Sequence, residues 1–296
     1  GQPERVRELA DYVIANHFPA LADAEDKYQQ FLIDVARRTA RLIAKWQAVG
    51  FAHGVMNTDN MSVLGLTLDY GPFGFLDDYH AGFICNHSDY SGRYAFDQQP
   101  AVGLWNVSRL AQTLVNLISV EEATAALEAY QPAFAAHYGE LMRAKLGLTT
   151  EAEEDAELLL DLLEVLEANG VDYTNFFRRL GNFKTAEDAR HDELRDMFVE
   201  PAAFDAWAAR YRVRLLAESS ADAARKSRMD GVNPKYVLRN YLAQNAITAA
   251  TERRDYTEIE RLLETLRAPY TEQPGREGYA ESPPDWGKRL AVSCSS

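Results

Sequence analysis

The chain has 296 residues, 47% of them hydrophobic and 26% charged, the balance of a globular protein that buries a sizeable core in one large or two small domains. Its formal net charge of −14 argues against general attraction to nucleic acid or to an anionic membrane, so a phosphate-bearing ligand must be met by a few local Arg or Lys or by a divalent metal. No apolar run approaches the roughly 20 residues of a membrane span. The cysteines Cys85 and Cys294 stand far apart and form neither a disulfide framework nor a zinc-finger spacing.

The first residues, GQPERVRELADYVIANHF, predict an amphipathic helix with Val6, Leu9, Val13 and Ile14 on one side. They lack the basic, apolar and small-residue zones of a secretory signal and read as the middle of a protein. From Asp26 to Gly50 the apolar residues Tyr28, Phe31, Leu32, Val35, Leu42, Ile43 and Trp46 recur at helical spacing, and Gly50 is placed to end a long helix. Between Phe51 and Pro100 the helical period vanishes. Ser62–Leu64 and Leu66–Leu68, broken by Gly65, read as small strands, and Gly, Asp, Asn and aromatic residues crowd the remainder. A loop-rich stretch of this length inside a helical domain points to function. Further helices are expected at about 101–118, 121–146, 152–168, 201–217, 234–250 and 255–267. Asn233 is expected to cap the helix at 234, with Pro234 in its first turn. From Ala268 the prolines and glycines predict an extended tail. The sequons at Asn60, Asn86 and Asn106 read as chance matches, and His80, His87 and His137 show no zinc-ligand spacing.

Within 51–100, Asp59 and Asn60 fall in a loop directly after the long helix, and Asp69 follows the two short strands. Carboxylate and amide oxygens are the hard ligands that Mg²⁺ takes when it bridges phosphates. Helix, loop, hairpin and Asp-x-Gly is the order in which a protein kinase presents its catalytic loop and its metal-binding Asp-Phe-Gly. Gly71 is expected to let the backbone turn just after Asp69. The departures matter. His53 and Asn60 keep the kinase spacing, but Val55 stands where the catalytic base belongs, and Tyr70 replaces the Phe. Asp59 is the only carboxylate in the loop. An ordinary phosphotransferase is therefore disfavoured, and in isolation either motif would read as a turn. His53 is expected to brace the loop by hydrogen bonds, and Asp89 with Arg93 to order the following segment as an ion pair.

The stretches HGVMNTDNMSVLGLTLDYGPFGFLDDY, FICNHSDYSGRYAFDQQPAVGLWNVSRLAQ and NPKYVLRNYLAQNAI, with the ending Cys294-Ser295-Ser296, resemble the SelO family over nearly the whole chain. The resemblance implies a mainly α fold: a protein-kinase-like C-lobe over 1–267, with a small β-hairpin carrying the catalytic and metal-binding loops, and an extended tail over 268–296. It implies a protein adenylyltransferase (AMPylation) that binds ATP in a flipped orientation and moves AMP to Ser, Thr or Tyr hydroxyls of proteins. In that scheme Asp59 is the catalytic residue, Asn60 and Asp69 hold Mg²⁺ or Mn²⁺, and Asp69 also contributes to the ATP site. The partners implied are ATP, protein substrates and the N-lobe of a parent protein, with no nucleic acid and no membrane. No Gly-rich loop or paired strand lysine precedes Asp26, so the chain alone is expected to be an inactive fragment lacking the N-lobe. The resemblance also implies a redox-linked disulfide between Cys85 and Cys294, which a tail of about 26 residues at ~3.3 Å each is long enough to permit; two free thiols are the alternative. The location implied is cytoplasmic for a bacterial protein and mitochondrial for a eukaryotic one. A true protein kinase and a non-catalytic pseudokinase scaffold stand as alternative functions.

Overall fold

The computed structural model describes residues 2–293. The fold is mainly helical: α1 (Pro3–His17), α2 (Lys27–Val49), α3 (Gln99–Leu114), α4 (Val120–Leu127), α5 (Tyr130–Lys145), α6 (Asp155–Asn169), α7 (Tyr173–Leu180), α8 (Asp192–Arg195), α9 (Pro201–Ala217), α10 (Asp222–Val232), α11 (Asn240–Arg253) and α12 (Thr257–Leu266). Two short strands, β1 (Phe51–Ala52) and β2 (Gly74–Phe75), pair antiparallel, with Phe51 opposite Phe75 and Ala52 opposite Gly74. Among the described residues no helix is long and apolar enough to cross a membrane.

α2 is the axis of the first half. Its apolar stripe (Phe31, Leu32, Val35, Ile43, Trp46) is buried against α1, α3, α4 and α5. Burying such side chains is worth about 1.5–3 kcal/mol each before the entropy of ordering is set against it. α2 ends as expected at Gly50, whose φ of 72° puts it in the left-handed region that glycine adopts without a Cβ penalty. The chain then enters β1 and the loop that follows. A second core gathers α5, α6, α7 and α9 around Tyr173, Phe176, Phe177, Trp207 and Tyr211. A small third cluster joins α11 and α12 through Leu242, Ala246 and Leu262.

Several expectations are corrected. Ser62–Leu64 and Leu66–Leu68 are not strands. A turn at Ser62–Gly65, closed by the Gly65 amide donating to the Ser62 carbonyl at 3.1 Å, leaves room only for an isolated bridge between Met61 and Thr67. The ribbon that ties this region together is β1–β2, which brackets the turn from outside. Asn233 does not start a helix; it ends α10, its amide donating to the Met229 carbonyl, and α11 begins only at Asn240. The helix expected over 121–146 is two helices, α4 and α5. Leu9 points away from the core and is exposed, whereas Ile14 is buried.

Residues 268–293 hold two short 3₁₀ turns, Glu277–Ala280 and Gly287–Arg289, and run back over the surface. Ser282 donates to Asp172 at 2.8 Å, Lys288 pairs with Asp78, and Val292 pairs with Asn86 in a parallel bridge. Cys294 lies outside the described residues.

Candidate active site

The loop after α2 is fixed from beneath before any functional group is placed on it. His53 is buried, and its backbone amide donates to Gln99 Oε1 at 2.8 Å while Gln99 Nε2 donates to the Phe51 carbonyl at 2.9 Å. The His53 ring is more informative still. The Val55 amide donates to Nδ1 at 3.3 Å, so the proton sits on Nε2, which donates to the Leu68 carbonyl at 2.7 Å. Burial pushes the His53 pKa down, against smaller upward pulls from the Leu68 carbonyl and Asp69, which keeps the ring in this neutral tautomer. His53 thus stitches the loop of Asp59 to the residue before Asp69, as the bracing role expected for it requires.

Gly54 lets the two segments close. Its φ is 82°, and a Cβ there would lie 2.7 Å from both Cys85 Sγ and the Pro72 carbonyl oxygen, so only glycine fits. Asn86 Nδ2 donates to the Gly54 carbonyl at 3.2 Å, and Cys85 Sγ lies 3.4 Å from the Ala52 carbonyl oxygen. An aromatic group of Phe51, Phe73, Phe75 and Tyr70 packs on the other side of the ribbon.

On this frame Asn60 and Asp69 meet. Asn60 Nδ2 donates to Asp69 Oδ2 at 2.7 Å and to the Val55 carbonyl at 3.1 Å. Asp59 is its exposed neighbour in the 3₁₀ turn Thr58–Asn60. Asp69 itself has a left-handed backbone, with φ 57°. That conformation costs a non-glycine residue roughly 1–2 kcal/mol, least for Asp and Asn, and it is held by the bonds through His53 and Asn60. Asn60 spends both N–H groups inside the protein, so its Oδ1 and the Asp69 carboxylate are the oxygen donors that remain. Such a hard-oxygen pair suits Mg²⁺ or Mn²⁺, which take one or two protein ligands and fill the rest with phosphate and water. Among the described residues no group of three or more His, Cys, Asp or Glu is placed to hold a metal.

The segment after Asp69 is anchored by a buried network. Arg239 meets Asp77 and, at 2.9 Å, Asp172. Asp172 also caps α7 by accepting from the Asn175 amide at 2.9 Å. The expected Asp89–Arg93 ion pair is not formed: Asp89 accepts from the backbone amides of Arg93 and Tyr94, and Arg93 lies over the Trp105 ring at 4.6 Å. Tyr94 reaches back to donate to Asn57 Oδ1 in the loop after β1. Gln99, Asn106 and Arg239, all buried at polar junctions of this site, escaped sequence reasoning. The available signal was a polar residue interrupting an apolar stripe, as Asn106 does between Val102 and Val107.

A family profile described as protein adenylyltransferase SelO matches residues 1–267. The chain belongs to the SelO family. Among curated SelO relatives, the protein nucleotidyltransferase YdiU of Myxococcus xanthus (strain DK1622) is 60% identical over 295 residues, which cover all of this chain and 60% of that protein. The proteins of the same name from Cronobacter sakazakii (strain ATCC BAA-894) and Thiobacillus denitrificans (strain ATCC 25259 / T1) are 57% and 56% identical, again over all of this chain and 60% of theirs. The chain thus spans about 60% of the length of the SelO relatives it matches.

Proposed function

We propose that this chain carries the metal-holding and acceptor-activating half of a protein adenylyltransferase. The observation that carries the reading is the Asn60–Asp69 contact at 2.7 Å with the exposed Asp59 beside it, in a chain belonging to the SelO family. Asn60 and Asp69 would hold Mg²⁺ or Mn²⁺, whose chemistry is to neutralise phosphate charge as it develops. The Asp59 carboxylate takes the proton of a substrate Ser, Thr or Tyr hydroxyl as its oxygen bonds to the α-phosphorus of ATP. The bond from that phosphorus to the bridging oxygen breaks, pyrophosphate leaves, and AMP remains on the protein as a phosphodiester. His53, held neutral and bonded on both nitrogens, is a positioning residue for both loops.

Under this reading residues 1–267 form a kinase-like C-lobe and 268–296 a tail. The elements that would cover ATP belong, under the same reading, to an N-lobe in a protein of the relatives' length. Alone, the chain is expected to bind ATP weakly and to transfer nothing. The redox link between Cys85 and Cys294 is part of the same proposal. It is supported by the seat of the tail, since the His87 amide donates to the Val292 carbonyl at 2.7 Å close to Cys85 in sequence. Val55, buried where a kinase would place its base, disfavours γ-phosphate transfer. The test is incubation of the full-length protein with α-³²P or γ-³²P ATP: label on protein from the α-position alone is expected, and γ-label would overturn the reading in favour of a kinase.

A further inference from the structure

Beside the catalytic loop a cavity of about 310 Å³ opens between α2, α3 and the stretch from Thr58 to Val63. Its walls are largely apolar, built by Val35, Met61, Val63 and Leu110, the mixture of apolar lining and sparse polar groups that suits a ligand site. Asn106 contributes the polar group at depth. The residue is 94% buried, from a relative exposure of 6%. Its Nδ2 donates to the carbonyls of Met56 at 2.9 Å and Val102 at 3.1 Å. Its Oδ1 is buried too, and has no hydrogen-bond partner.

Arg109 supplies charge at the same cavity. Its guanidinium lies over the Trp105 ring at 5.0 Å, and Arg93 lies over that ring at 4.6 Å. Among the described residues neither arginine pairs with a carboxylate, although the chain carries 45 Asp and Glu against 31 Lys and Arg. Exposed at the cavity and without a carboxylate of its own, Arg109 is open to an anionic group from outside.

Two demands therefore meet beside the stretch from Thr58 to Val63: an apolar side chain to fill the cavity and a carboxylate for Arg109. A polypeptide with a Leu- or Met-sized residue followed by Asp or Glu meets both. We propose that this cavity docks the acceptor protein through such an apolar–acidic pair. Identifying the docked peptide as the acceptor rests on the AMP-transfer reading; the docking itself does not.

The test titrates the 296-residue chain, without ATP, with acetyl-Ser-Gly-Leu-Glu-amide and acetyl-Ser-Gly-Leu-Lys-amide. The Trp105 indole N–H is followed by ¹⁵N–¹H NMR, its signal assigned with Trp105→Phe. The acidic peptide is expected to shift that signal and to bind about fivefold tighter than the basic one, the size of one exposed ion pair. Arg109→Glu, a surface change, is expected to reverse the preference, and Val63→Phe, which fills the cavity, to weaken both peptides by about fivefold or more. Equal binding of the two peptides, a preference untouched by Arg109→Glu, or no shift at Trp105 would overturn the docking site. The same peptides are then offered to the full-length protein with α-³²P ATP. Absent α-label with binding intact sinks the AMP-transfer reading alone, whereas α-labelling of other proteins without peptide binding sinks the docking site alone.

Discussion

Replacing Arg239 by Met removes the cation that joins the segment after Asp69 to α7 and, through Ser282, to the tail. The Arg239 side chain is 1% exposed and that of Asp172 is 6% exposed. Burial already pushes the Asp77 carboxyl upward, and Arg239 is what pulls it back. Stranding two partly desolvated carboxylates should cost about 3–5 kcal/mol, the range for breaking a buried pair on one side. The loss should be greater at alkaline than at acid pH. In the variant the Asp77 carboxyl, already raised by burial, loses the cation that pulls it down, so the folded state holds the extra proton and stability falls as pH rises through the carboxyl range. Arg195, paired at 2.9 Å with Asp205 where the side chains are 43% and 48% exposed, is the control; Arg195→Ala should cost no more than about 1 kcal/mol. Urea unfolding followed by far-UV circular dichroism reads both, provided the slope is unchanged. A loss for Arg239→Met no larger than that of the control would refute the claim that this network holds the segment in place.

Gly54→Ala should cost about 2 kcal/mol or more, because the left-handed φ of 82° and the 2.7 Å approaches to Cys85 and Pro72 act together. Thermal unfolding measures it, and a variant as stable as the parent would mean that the loops are not in close contact. Lys145 is buried, donates to Asn233 Oδ1 at 3.0 Å and lies over the Phe177 ring at 4.3 Å, and burial pushes its pKa down to about 7 from 10.5. The unfolded chain then binds the extra proton above pH 7, so the protein should gain on the order of 2 kcal/mol between about pH 7 and pH 9 from this group. Lys145→Met should abolish that share of the pH dependence in urea titrations; an unchanged slope against pH would contradict the burial argument.

The helices were legible where an apolar stripe met a clear stop. α2 follows from Phe31, Leu32, Val35, Ile43 and Trp46 with Gly50 behind them, and α9 from its own run over 201–217. α7 was missed because it is only Tyr173–Leu180, too short for its buried Tyr173, Phe176, Phe177 and Leu180 to establish a helical period. Asn233-Pro234 carried a local start signal that tertiary structure overrode, with Asn233 Nδ2 donating to the Lys145 carbonyl at 2.9 Å. In the site, the approach of Asn60 to Asp69 could be anticipated from the loop–turn–loop order. What holds them could not. The His53 tautomer depends on the Val55 amide and the Leu68 carbonyl, and Arg239 reaches Asp77 across most of the chain. Periodicity carries no record of such partners.

The proposed divalent-metal pair of Asn60 and Asp69 is tested most directly by paramagnetic relaxation with Mn²⁺, which registers even weak binding. Titration of the ¹⁵N-labelled chain should broaden the amide signals around Asp59, Asn60, Asp69 and Tyr70 first, and Asp69→Ala should remove that local broadening while leaving the rest of the spectrum in place. Broadening that persists around Asn60 in the variant, or that spreads evenly over the acidic surface in both proteins, would contradict it.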